Sequence, residues 1–153
     1  MEFVVNEWLL EYFKPDAPND EKKKLEEFLI KFLERNDKIF VRRPSEFLRK
    51  LLRFANDYQQ YPRVYENIHK FITVIYLDSN RCRIIHDGEF ELSEVITTKL
   101  NESGNYNSDT YLFEAASVTE TKLIITTDKK LKTHLESNGI FDVQLLDDFL
   151  TNY

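Results

Sequence analysis

The sequence has a single cysteine, Cys82, and little glycine or proline, 3 and 4 residues respectively. A lone cysteine excludes an intrachain disulfide framework and a Cys-rich zinc site, and it suits a reducing compartment. With few helix and strand breakers, most of the chain is free to form regular elements. No apolar run approaches the roughly 20 residues that a membrane span needs, so no membrane association is expected. Acids stand in the first residues where a secretory signal would carry Lys or Arg, and a cytoplasmic location is the default expectation. Excess positive charge is also missing. The net charge of −6 argues against wholesale attraction to nucleic acid or anionic membranes, but leaves room for a local basic patch. Neither GxxxxGK[ST] nor GxGxxG occurs, and His69, His86 and His134 are scattered without HExxH spacing, so those nucleotide and zinc chemistries have no support.

What is present fits one globular domain spanning 1–153. The 153 residues are 42% hydrophobic and 31% charged, enough to bury a core without staples. Phe3-Val4-Val5 reads as a buried strand, followed by a short helix over Trp8–Phe13 that stops before Pro15. Asn19-Asp20 offers an N-cap for a helix whose apolar stripe is Leu25, Phe28, Leu29, Phe32 and Leu33. Lys38–Val41 is a short strand or extended link. Pro44 and Ser45 open a helix carrying Phe47, Leu48, Leu51, Leu52, Ala55 and Tyr58. Pro62 starts another, with Tyr65, Ile68, His69 and Ile72; the run from Ile72 to Leu77 reads equally as strand.

Arg81–His86 is a third strand, Asp87-Gly88 a turn, and Leu92–Leu100 a short helix. The polar stretch Asn101–Ser108 reads as loop. Ser108 or Asp109 then caps a helix through Tyr111, Leu112, Ala115, Ala116 and Thr119. Leu123–Thr126 is a buried strand, Asp128–Glu136 a helix closed by Gly139, and Val143–Leu146 a further strand, with Asp147 capping a last helix. Alternating strands and helices at this spacing predict a three-layer α/β/α fold with a mostly parallel central sheet.

Ligands of parallel sheets bind beyond the carboxyl ends of the strands. Asn6 and Glu7 follow the first strand, and Asp128 follows Leu123–Thr126. Asp109 opens the helix leading into that strand, so its side of the helix should reach the same rim. Carboxylates gathered there repel one another unless a cation lies between them, and Mg²⁺ or Mn²⁺ suits an all-oxygen site. Helix capping is the plainer reading of either Asp alone. The order of the two on this scaffold favours the functional reading.

The segment Ser108–Leu131 resembles the end of a PIN domain, a fold of metal-dependent ribonucleases that includes many bacterial toxins. The matching features are Asp109, the small pair Ala115-Ala116, the strand Leu123–Thr126 and Thr126-Thr127-Asp128. The opening Val4-Val5-Asn6-Glu7-Trp8-Leu9-Leu10 is similar to the family's first strand, Asp-x-Asn and apolar helix, and Val143–Leu150 to its last strand and helix. The resemblance implies a metal-dependent endoribonuclease with Mg or Mn held by Asn6, Glu46, Asp109 and Asp128, of which Glu46, Asp109 and Asp128 are catalytic. Glu46 is the best match to the family's early-helix Glu. It shares a helical face with Arg49, Lys50 and Arg53, so plain ion pairing is an equal reading. RNA phosphates would meet Arg42, Arg43, Arg49 and Arg53. A toxin or defence role, an antitoxin or other protein partner, and a homodimer are further implications.

The chain departs from the pattern at three places: Asn6 stands for the first acid, Trp8 for the Asn, and Lys130 for the acid that often follows Asp128. The alternative is therefore a PIN-like module, weakened in catalysis, that binds RNA or protein. A phosphatase is a weaker third, because Asn6-Glu7-Trp8 supplies no DxD. Trp8 and Tyr12 are either core or the lining of a substrate groove or partner surface.

Overall fold

Five short runs rich in β-branched and aromatic residues form the sheet: β1 (Glu2–Val5), β2 (Lys38–Arg42), β3 (Cys82–Ile85), β4 (Leu123–Thr126) and β5 (Asp142–Leu145). Their arrangement comes from a computed structural model, which describes residues 1–104 and 106–153. All pairings are parallel and the order is β3-β2-β1-β4-β5. The sheet is thus parallel throughout.

Successive side chains on a strand face opposite ways, and both faces are buried. Phe3 and Val5, Ile39 and Val41, and Leu123 and Ile125 enter one core. Val4, Phe40 and Ile124 enter the other. Near-continuous apolar strands are what a sheet covered on both sides requires. The first core is closed by α1 (Trp8–Glu11), α2 (Asn19–Glu34), α3 (Glu46–Asp57), α4 (Pro62–Phe71) and α8 (Leu146–Asn152). The second is closed by α5 (Glu94–Glu102), α6 (Tyr106–Ser117) and α7 (Lys129–Leu135). This is the expected three-layer α/β/α architecture.

Local chemistry explains most helix starts. The Ser45 hydroxyl accepts from the Leu48 amide at 3.1 Å, and Pro62 lies at the start of α4, where its missing N–H costs nothing. Ser93 caps α5 in the same manner.

Several expectations shift. Helix α2 begins on Asn19 behind Pro18 with no side-chain cap, so Asn19-Asp20 does not act as the N-cap. Ile72–Tyr76, ambiguous in sequence, continues α4 as a π-helical turn, which exposes Val74 and buries Ile75. Helices fill most of the stretch read as the loop Asn101–Ser108, since α5 runs through Glu102 and α6 starts at Tyr106; Asn105 lies outside the described residues. The last strand ends at Leu145, and Asp147 sits in the first turn of α8 instead of capping it.

The first core is built around Phe3, fully buried on the central strand. Its ring meets Phe28 at 6.0 Å, Phe32 at 5.9 Å and Phe149 at 5.7 Å, all edge-on. Edge-on pairs add about 0.5–1.5 kcal/mol each beyond burial. The Tyr153 hydroxyl reaches into the same layer to donate to buried Asp37. Among the described residues no helix is long and apolar enough to cross a membrane.

Phe3→Ala removes the ring on which Phe28, Phe32 and Phe149 converge. Urea denaturation should show a loss of about 3–5 kcal/mol, a large share of a typical domain's stability. A loss under about 1 kcal/mol, the scale of a solvent-facing substitution, would show that Phe3 is not the hub.

Candidate functional site

The sheet order decides where the site is. From β1 to β2 to β3 the chain moves outward in one direction, with its connecting helices in the first layer. It then crosses to β4, on the other side of β1, through α5 and α6 in the second layer. β1 and β4 therefore flank a switch in winding direction, and the crevice beyond their carboxyl ends is the usual ligand position of such sheets.

The residues just past these two strands are tied together. The Asn6 amide N–H donates to the Ile125 carbonyl at 3.3 Å. Its side-chain Nδ2 donates to Thr126 Oγ1 at 2.8 Å, and that oxygen also accepts from the Asp128 amide at 3.0 Å. Asn6 Oδ1 accepts from the Trp8 amide at 3.3 Å. Trp8 itself is buried, and its indole Nε1 donates to the Ile125 carbonyl at 3.1 Å. Trp8 is therefore core, not the lining of a groove.

Asp128 caps α7. Its Oδ1 accepts from the amides of Lys130 at 2.8 Å and Leu131 at 3.1 Å. Asp109 lies inside the first turn of α6, which begins three residues earlier, so it does not cap that helix. The Ser108 hydroxyl donates to Asp109 Oδ2 at 3.0 Å. Burial raises the Asp109 carboxyl above the ordinary value, and the charges of Asp128 and Glu7 raise it further, against the lowering effect of Ser108. These three carboxylates therefore share one electrostatic neighbourhood. Tyr111, two residues further along α6, belongs to it too: burial, then Glu7, Asp109 and Glu46, keep its phenol protonated.

Glu7 and Glu46 are already partnered. Lys50 of α3 donates to Glu7 Oε2 and stands 4.0 Å from Glu46 Oε1. Arg49 Nε donates to Glu46 Oε2 at 2.9 Å, and this pairing lowers the Glu46 carboxyl. Among the described residues, no three His, Cys, Asp or Glu side chains stand close enough together to grip a metal ion. Asp109 lies within electrostatic reach of Asp128; Glu46 stays half-exposed on α3 in its own ion pairs.

The expected basic face also divides. Arg42 is 5% exposed. Its Nε donates to Glu114 at 2.8 Å, its other nitrogens reach Asp87 and two backbone carbonyls, and its guanidinium lies 4.5 Å from the Phe90 ring centroid. A guanidinium so enclosed is a packing element, with four of its five N–H groups engaged inside the protein. Arg43 and Arg53 are exposed.

In the sequence, Lys50 reads as part of a helix face and Tyr111 as apolar packing. Lys50's partner Glu7 comes from another element, so no local spacing reveals the pair. Tyr111 follows Asp109 by two positions, a spacing that in a helix gives no hint of a shared electrostatic neighbourhood. No family model, no curated protein and no solved structure matches this chain.

The raised Asp109 carboxyl carries a stability consequence. Between the ordinary carboxyl value and its raised folded value, the folded protein holds more protons than the unfolded chain, so stability falls as pH climbs through that window. Asp109→Asn removes the charge. In EDTA, the variant should melt above the parent at pH 7, and the gain should shrink toward pH 4. A variant that melts below the parent at pH 7 would contradict the shift.

Proposed function

We propose that this chain is a metal-dependent endoribonuclease of the PIN-like type that hydrolyses RNA phosphodiesters, with a role as a toxin or defence component. The observation that supports the reading is that Asp109, Asp128 and Glu7 share the β1–β4 switch, where burial first, and then the charges of Asp128 and Glu7, raise the Asp109 carboxyl. Charge repulsion of this kind is relieved by a cation. Mg²⁺ commonly takes one or two carboxylates and keeps its remaining waters, a demand that Asp109 and Asp128 meet without a third acid. Such an ion, or Mn²⁺, would supply an acidified water and neutralise charge on the scissile phosphate. The chain's own part is to hold that pair in place: Thr126 ties Asn6 to the Asp128 turn, and α7 orients Asp128. Exposed Arg43 and Arg53 are the cations left to meet flanking phosphates, and binding through them weakens with salt.

The test is cleavage of single-stranded RNA with Mg²⁺ or Mn²⁺. Asn is as good an N-cap as Asp, so Asp128→Asn keeps α7 capped while removing the charge. Asp109→Asn and Asp128→Asn should each lower the rate by at least about 100-fold, the scale of losing one transition-state electrostatic contact. Parent-level cleavage in both folded variants rules out the assignment.

A second reading has its own support. Asn6 is neutral and engaged with Thr126, and Lys50 already covers Glu7. On that reading the chain is a PIN-like module that binds RNA or protein without turnover. It expects no cleavage by the parent at any Mn²⁺ concentration, and RNA binding that survives EDTA. Lys50→Met separates the two: if Lys50 competes with a metal for the rim, removing it should raise Mn²⁺ affinity at least about tenfold, or about 1.4 kcal/mol, by calorimetry. An unchanged affinity means that Lys50 only braces α3.

A further inference from the structure

Away from the rim, α2 and α4 with its π-helical continuation form the walls of a groove of about 910 Å³, closed at one end by Phe13, Lys14 and Pro15. Buried Leu25, Phe71 and Ile75 make its floor. Ile30 and Val74 stand at its lips, 50% and 49% exposed, with Leu33 at 38%. On α2, Leu25, Leu29 and Leu33 line the groove at four-residue spacing, beside the stripe of Phe28 and Phe32 that faces the sheet. Helix α2 thus carries apolar residues beyond the stripe that faces the sheet, and Ile30 and Leu33 are the ones the chain leaves uncovered. Contiguous apolar surface left open in this way marks an interaction site.

The rim has a charge of its own. Lys14, Lys22, Arg63 and Lys70 line the groove against a single acid, Glu26. Lys14 pairs with Glu11, and Lys70 with Glu66 at 2.9 Å. Lys22 instead donates to the Pro15 carbonyl at 2.7 Å, and Arg63 is exposed. With those two pairs set aside, Lys22 and Arg63 stand against Glu26, a small local positive excess around an apolar trough in a chain of net charge −6.

We propose that the groove binds an amphipathic α-helix of another protein, with apolar residues at i, i+3, i+4 and i+7 on its buried face and Asp or Glu along both edges. The walls are helices with their main-chain groups already bonded, so they offer no sheet edge to an extended peptide; helix-in-groove docking remains. The 16 residues of α2 run about 24 Å, a length matched by about four turns of a partner helix. A second copy of this chain is a poor occupant. A two-fold contact sets the same patch against itself and would bring the cationic rims face to face. The acidic edges proposed for the partner are the complement of that rim. This surface is separate from Asp109 and Asp128, and its occupancy does not depend on any nuclease activity.

The test uses the full chain and two synthetic helical peptides with the same Leu face, one edged with Glu and one with Lys. Fluorescence anisotropy, without RNA or metal, should show the Glu-edged peptide binding at least about tenfold tighter, with the gap narrowing as salt screens it. Ile30→Asp and Val74→Asp, both at half-exposed positions, should weaken it at least about tenfold with unchanged melting. Four results would overturn the proposal: no binding of the Glu-edged peptide; equal or tighter binding of the Lys-edged peptide; unaltered binding by both variants; or sedimentation showing a dimer that Val74→Asp dissolves, which would assign the groove to a second copy. Because neither RNA nor metal is present, failure here leaves the cleavage reading standing, and failure of cleavage leaves this one standing.

Discussion

Strand β1 is paired along both edges, with Phe3 opposite Ile39 of β2 on one side and opposite Leu123 of β4 on the other. That double pairing fixes the rest. It brings the start of the chain against a strand more than a hundred residues later in sequence, and it makes β1–β4 the point where the connecting helices change layers. Its hydrogen bonds do not end with the strands. The Asn6 amide and the Trp8 indole both converge on the Ile125 carbonyl. A buried carbonyl has two lone pairs to satisfy, and here both are taken by the segment that leaves β1. The turn carrying Asn6 and Glu7 is thereby locked to the turn carrying Thr126 and Asp128.

Charge at this rim is arranged unevenly. Glu7 and Glu46 meet full cations, Lys50 and Arg49, supplied by one helix. Asp109 and Asp128 are held by neutral donors, a hydroxyl and two amides. Exposed ion pairs contribute little to stability, so Arg49–Glu46 is weak evidence of purpose. The pair that does crowd is the one the helices carry inward. The gradient runs from acids paired with cations at the α3 edge to acids held by neutral donors at the β1–β4 crevice.

Much of this fold is legible in the sequence because its signals are local. The continuous apolar run Phe3-Val4-Val5, the Ser45 cap, Pro62 at a helix start and the Asp128 cap each declare themselves within a few residues. The five strands read from the sequence agree with the structure to within about a residue, the usual uncertainty of an element boundary. Features made by distant residues do not show in this way. Arg42 looks like a surface cation until Glu114 and Asp87, far along the chain, enclose it. Ile72–Tyr76 has the β-branched composition of a strand, yet packing of Ile75 into the first core keeps it helical; composition is a weak prior that tertiary context overrides. Asp109 sits one turn into its helix because α6 starts at Tyr106, and the polar residues before it carry no strong stop signal.

The capping and ligand readings of Asp128 look like rivals in the sequence, and the geometry removes the conflict. Both amides of the α7 turn, from Lys130 and Leu131, land on Oδ1. A carboxylate has about four acceptor positions over its two oxygens, so capping through Oδ1 leaves Oδ2 able to accept a cation or its water. Capping also fixes the side chain's rotamer before any ligand arrives, which lowers the entropy that binding must supply. The same residue can therefore end the strand–helix turn and present a charge at the crevice. Asn6 fills only the first of these two roles. Its side-chain amide ties the two turns together through Thr126, and its Oδ1 closes on the Trp8 amide. At this position the side chain supplies ties between the turns and no charge.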